Sequence, residues 1–114
     1  MIFDDNDYLK MASCFRIFSN EIRLKIINYL SECKEANVSD LINNLNIKQS
    51  ILSQQLQVLY NAHIISKRKE GLYVYYFLIN FELADYIKNI NNLQIEPLQK
   101  LVRVNHHHCH CRHH

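Results

Sequence analysis

Glycine and proline are almost missing from this chain, with one of each in 114 residues. Turns and strand breaks draw on those two residues, so a chain that does nearly without them reads as rich in helix. No apolar run reaches the roughly 18 residues of a membrane-spanning helix, which excludes that class of membrane protein. The opening MIFDDNDYLK is acidic and lacks the charged-then-apolar layout of a secretory leader, so a cytoplasmic protein is expected. In that compartment the four cysteines are expected as free thiols or metal ligands rather than structural disulfides. Also missing are a pair of catalytic acids, a nucleophile at motif distance from a base, and a phosphate-binding loop. An enzyme is therefore not expected. The formal charge of +2 is too small to announce a nucleic-acid partner, so the distribution of charge has to decide.

What is present is one domain's worth of chain, 48% apolar. A domain of this size is marginal alone, and a second copy would add buried surface. Over 7–19, Tyr8, Met11, Ala12, Phe15 and Phe18 recur at helical spacing. Ser19 and Asn20 are good caps for a second helix, where Ile22, Ile26, Ile27 and Leu30 line one face and Arg23 and Lys25 lie off it. A third helix fits NVSDLINNLN, with Asn37 and Asp40 in capping-box positions and Val38, Leu41, Ile42 and Leu45 as its apolar set. A fourth fits QSILSQQLQVLYNA, with Leu52, Leu56 and Leu59 as its seam. Only Asn46, Ile47 and Lys48 separate these two, which makes them a candidate helix-turn-helix.

The period then changes. In HIISKRKEGLYVYYFLI, Val74, Tyr76 and Leu78 alternate with Tyr73, Tyr75 and Phe77, the aromatic and β-branched pattern of a strand. The single glycine, Gly71, marks a hairpin tip that needs positive φ. FELADYIKNINNL is helical again, with Leu83, Ile87 and Ile90 on one side, and Pro97 should end or kink it. The expected fold is mainly α with a β-hairpin wing: a winged helix-turn-helix, dimeric, spanning residues 1–104, followed by a His/Cys-rich tail over 105–114. Phe15, Phe18, Ile87 and Ile90 are the apolar residues expected between two copies.

The outward face of the fourth helix carries Gln49, Ser50, Ile51, Ser53, Gln54 and Gln57. Glutamine can pair bidentately with adenine in a major groove, serine can donate or accept, and isoleucine can touch a thymine methyl. A plain solvated face is the alternative, but such faces usually carry Lys and Glu. Lys67, Arg68 and Lys69 form the densest basic cluster, next to the hairpin tip, where they could reach phosphate with Tyr73 beside them. The expected partner is double-stranded operator DNA.

Taken together, SNEIRLKIINYL and VSDLINNLNIKQSILSQQLQVLYNAHIISKRKEGLYVYYFL resemble the ArsR/SmtB family of winged-helix repressors, over roughly residues 7–95. Ser19, Arg23, Leu24, Asp40, Leu41, Gln49, Ser50, Ser53, Leu56, Lys69, Gly71, Tyr75 and Tyr76 fill that family's pattern. The resemblance implies a homodimer, paired through its first and last helices, that represses a promoter until an inducer binds. The sequence departs from the pattern at Lys48, where Ser or Thr is commoner, and at Gln54 and Gln55, where the family usually has a pair of histidines. The family's thiol site would need cysteines near Asn37 and Ser39, and its carboxylate-imidazole site a histidine between Phe81 and Leu93; neither is present, and Asp85 has no histidine partner there.

The chain closes on HHHCHCRHH. A purification tag is normally an unbroken histidine run, whereas Cys109, Cys111 and Arg112 interrupt this one. His107, His108, Cys109, His110 and Cys111 offer more soft and borderline donors than one zinc, nickel or copper ion needs, so a transition metal is the expected inducer rather than a catalytic cofactor. A tail that only stores or scavenges metal is the rival reading. Cys14 and Cys33 are the other candidate sensing thiols. Cys14 is expected to be buried as a small hydrophobe, and Cys33, beside Lys34, to be more exposed and more reactive. A thiol- or persulfide-responsive repressor of the same fold is thus the alternative function.

Overall fold

The computed structural model describes residues 2–93. Pro97 and every expectation placed on the tail, including His107, His108, Cys109, His110 and Cys111, lie outside them. The order of elements is α1 (Asp5–Phe18), α2 (Glu21–Cys33), β1 (Glu35–Asn37), α3 (Val38–Leu45), α4 (Gln49–Asn61), β2 (Ile65–Glu70), β3 (Tyr73–Leu78) and α5 (Glu82–Asn91). This is a winged helix-turn-helix with a β-hairpin wing.

Local chemistry explains most of the boundaries. Helix α1 starts earlier than its apolar spacing predicts because Asp4 and Asp7 form a capping box: the Asp7 amide donates to Asp4 at 2.9 Å and the Asp4 amide to Asp7 at 3.1 Å. Asn20 caps α2 by accepting from the Arg23 amide at 3.0 Å. Asn37 and Asp40 make the expected reciprocal box at α3. Asn46 ends α3 in the left-handed conformation at φ 54°, which asparagine tolerates, so α4 can begin at once. Helix α4 ends in a Schellman turn: the His63 amide donates to Tyr60 and the Ile64 amide to Leu59, with His63 at φ 59°.

Helices α2, α3, α4 and α5 and strand β2 converge on one core. Ile26, Ile27 and Leu30 of α2 and Leu52, Leu56 and Leu59 of α4 are fully buried, with Leu41 of α3 and Ile65 of β2. Val38, Ile42 and Leu45 pack against them from α3, and Leu83 and Ile87 from α5. The sheet has the order β1-β3-β2 and is antiparallel throughout. Strand β1 was not expected from the sequence; its three residues are too few to show a period and are defined by pairing with β3, Ala36 opposite Tyr76. Glu70 pairs with Tyr73 across a tip of Gly71 and Leu72, and Gly71 takes φ +60°. Glycine, with no Cβ, adopts that angle without strain.

The cysteines exchange the places expected of them. Cys14 is exposed on α1, a helix that buries none of its residues. Cys33 is 7% exposed and belongs to the core. It continues the α2 stripe three residues beyond Leu30, so helical spacing buries it despite its neighbour Lys34.

Candidate nucleic-acid interface

Side chains of α4 point outward along most of its length, with Tyr60 and Asn61 exposed at its C-terminal end. Gln49, Ser50, Ile51, Ser53, Gln54 and Gln57 are all exposed, while Leu52, Leu56 and Leu59 hold the opposite side of the helix in the core. The face is polar and carries no formal charge. Gln57 donates to Asn61 one turn on, at 2.8 Å. Lys48 is the N-cap residue of α4 and makes no side-chain cap bond, consistent with the absence there of a short oxygen-bearing side chain.

Gln55 behaves differently from its neighbour. Gln54 is exposed, whereas Gln55 is half-buried and accepts from Arg23 Nε at 2.8 Å. The family pattern treats these positions as a pair; helical geometry separates them by about 100° and gives them different surroundings. In the sequence Arg23 stands only as a residue off the α2 stripe, and nothing local marks its contact with a glutamine 32 residues away.

The wing divides its basic residues between the two faces of the sheet. Side chains alternate along a strand, so Lys67 and Lys69 share the face of Ile65 while Arg68 points the other way. Lys67 sits with its ammonium 4.5 Å from the ring centre of Tyr60, at the C-terminal end of α4. Lys69 is exposed near the tip, and Tyr73, across from Glu70, is 56% exposed.

Arg68 is tied into the protein. Its Nη2 donates to Glu35 at 2.8 and 2.9 Å, its Nε to the same carboxylate at 3.2 Å, and its Nη1 to Glu70. The guanidinium also lies 4.8 Å from the ring centre of Tyr75, its cross-strand partner. The hydrogen bonds it donates to Glu70 and then to Glu35 raise its pKa above the ordinary arginine value. Of the three basic residues, Arg68 is the one whose charge is already matched by carboxylates, a fact hidden in the sequence because Glu35 lies 33 residues away.

The other site residues stand apart from this face. Cys14 is on α1 and Cys33 at the end of α2. Among the described residues no group of three or more His, Cys, Asp or Glu side chains is arranged to hold a metal ion. No described helix is long and apolar enough to cross a membrane.

With this geometry in view, three comparisons are informative. The sequence profile described as bacterial regulatory protein, arsR family, matches residues 20–67, which run from the α2 cap into the wing. The arsenical resistance operon repressor of Staphylococcus aureus is 31% identical over 84 residues, covering 74% of this chain and 80% of the repressor. The cadmium resistance transcriptional regulatory protein CadC of Listeria innocua is 29% identical over 92 residues, covering 81% and 77% of the two chains. The crystal structure of the transcriptional regulator HlyU from Vibrio vulnificus superimposes with a TM-score of 0.68 at 32% identity, covering 80% of this chain and 94% of that one.

Proposed function

The chain belongs to the arsR family of DNA-binding transcriptional regulators, which are not enzymes, and from that premise we propose that it is a homodimeric repressor released from its operator by a transition metal ion. The observation that carries the DNA-reading part is the outer face of α4, six exposed side chains without formal charge beside the exposed lysines of the wing. Gln49, Ser50, Ile51, Ser53, Gln54 and Gln57 read base edges in the major groove, and Lys67 and Lys69 hold phosphate, with Tyr73 alongside. Arg68 contributes through the wing's shape more than through a phosphate contact.

Two copies meet through α1 and α5. The support is apolar surface left uncovered in one chain: α1 buries no residue, Phe15 is 63% exposed and Ile90 51%. Phe18 and Ile87 pack partly against their own core and supply the edge of the same surface.

Residues 1–104 form the DNA-binding and dimerisation unit, and residues 105–114 bind the inducer. The support is the donor set: His107, His108, Cys109, His110 and Cys111 are soft or borderline ligands suited to zinc, nickel or copper. Relatives named for arsenical and cadmium resistance lie in the same family. Thiolate and neutral imidazole must both shed protons to bind, so metal affinity should fall as pH drops toward about 6. A second reading has thiol chemistry as the inducer, with Cys14 the accessible sulfur on α1 and Cys33 the buried one.

The test is a band-shift titration on DNA from the protein's own promoter, comparing the full chain with one truncated after Asn105. Release of the full chain alone by zinc, nickel or copper supports the metal reading. Release of both chains by metal places the sensor elsewhere. A tail that binds metal while the full chain holds DNA unchanged is a store. Release by a persulfide donor alone, lost in Cys14→Ser or Cys33→Ser, selects the thiol reading. In the same assay Gln54→Ala should cost about 1–3 kcal/mol at one base pair.

A further inference from the structure

Arg23 joins two helices that have different tasks. From the first turn of α2 its Nη1 donates to the carbonyl oxygens of Ile17 at 3.1 Å and Arg16 at 3.4 Å, in the last turn of α1. The Arg16 carbonyl also accepts from the Ser19 amide at 3.3 Å, closing the helix, and the negative end of the α1 dipole favours a cation beside both carbonyls. Its Nε donates in another direction, to Gln55 Oε1 of α4 at 2.8 Å. Among the described residues no carboxylate pairs with Arg23; the ion pairs involve Lys10, Lys25 and Arg68. Its hydrogen-bonding capacity is therefore spent on helix geometry and not on charge pairing.

We propose that Arg23 is the positioning residue of the recognition helix: through Gln55 it fixes the rotation of α4 about its own axis relative to the end of α1. The proposal rests on the DNA reading above and adds the device that aims it. The Leu52, Leu56 and Leu59 seam decides which side of α4 faces inward, but apolar packing is non-directional and leaves the angle loosely set. A hydrogen bond at 2.8 Å is directional. Base readout needs side chains within about 10–20° of their working geometry. Successive residues turn by about 100°, so holding Gln55 inward puts Ser53, Gln54 and Gln57 about 100–200° around the axis, on the groove side. Because the other end of the strut is α1, a helix that buries none of its own residues, the placement of α1 is passed directly to the base-reading side chains.

A merely stabilising arginine would affect all DNA equally, whereas an aiming device affects discrimination. The experiment uses the full chain and two duplexes: one selected by the unmutated protein from a random pool, and a scrambled duplex of the same composition. Gln55→Leu keeps the size of the side chain and leaves the α1 cap intact. It should lower the ratio of selected to scrambled affinity about tenfold, with scrambled affinity and melting temperature nearly unchanged. Arg23→Met, which also removes the bonds to the α1 carbonyls, should lower the ratio similarly, and the double variant no further, because both remove the shared Arg23–Gln55 contact. Gln55→Glu keeps the acceptor; its added charge weakens both duplexes alike, and the ratio should return to the unmutated value. Equal loss on both duplexes, additive losses in the double variant, or an unchanged ratio in Gln55→Leu would each overturn the proposal. An unmutated chain that selects no sequence overturns the DNA reading itself, and the two failures are told apart because this one appears before any substitution is made.

Discussion

Arg68 and Glu35 close the wing against the strand that leads into the helix-turn-helix. The guanidinium meets the carboxylate through bonds of 2.8, 2.9 and 3.2 Å. Glu35 begins β1, and β1 ends at Asn37, the cap of α3. One side chain thus links the basic hairpin to the start of the helix pair. Both partners are well exposed to solvent, so the link sets geometry more than it adds stability.

Salt dependence separates this role from that of its neighbours. Each phosphate neutralised by a lysine contributes about 0.9 to the slope of log affinity against log salt. Lys69→Ala should lower the slope by about that amount on any sequence. Arg68→Gln should lower affinity with a much smaller change in slope, because its charge is already matched by Glu35 and Glu70. An equal drop in slope for both variants, measured by fluorescence anisotropy between about 50 and 200 mM salt, would show that Arg68 leaves its carboxylates for phosphate.

The core makes a second prediction. Leu52 is fully buried on the inner side of α4. Leu52→Ala should cost about 2–5 kcal/mol in urea unfolding, a large share of the 5–15 kcal/mol of an ordinary domain. A loss below about 1 kcal/mol would mean that the site collapses around the smaller residue.

Two residues bear backbone angles suited to glycine. His63 takes φ 59°, and Lys34 takes φ 65° with ψ −47°, a positive-φ conformation outside the left-handed helical region. Outside glycine and asparagine, left-handed geometry costs about 1–2 kcal/mol, and the greater freedom of glycine in the unfolded chain offsets about 0.5–1 of that. His63→Gly should therefore raise the melting temperature by a few degrees, and Lys34→Gly should do the same. Calorimetry showing a fall for His63→Gly would give the imidazole a contact worth more than the backbone strain.

The proposed dimer gives a fourth. Phe15→Glu sets a charge into the uncovered surface of α1, on a residue that its own core does not use. Sedimentation should show a monomer at micromolar concentration with an unchanged circular dichroism spectrum. Footprints of the unmutated protein should show two half-sites roughly 34 Å apart. A dimer persisting in Phe15→Glu would move the interface elsewhere.

How legible all this was in the sequence depended on the range of the interaction. The α4 seam, the Asn37–Asp40 box and Gly71 at the tip are local, fixed by spacing or by one residue's angle, and each stands where the sequence put it. The burial of Cys33 was also within reach, since it extends the Ile26–Leu30 stripe by one more step; the neighbouring lysine drew attention from the period. The split of Lys67, Arg68 and Lys69 between two faces follows from strand alternation, which a reading of the three as one cluster overlooked. The Arg68–Glu35 and Arg23–Gln55 bonds were out of reach, because their partners are 33 and 32 residues apart and nothing local marks them. Strand β1 exists only through its partner β3.

The absence of any buried residue in α1 has a consequence at the level of gene dosage. If two copies must meet on that helix before either grips DNA well, promoter occupancy follows the square of the chain's concentration wherever monomers predominate. Halving expression then cuts bound operator about fourfold under dilute conditions. A control of this kind responds steeply to the amount of the regulator itself, so slowing its synthesis alone would empty the operator.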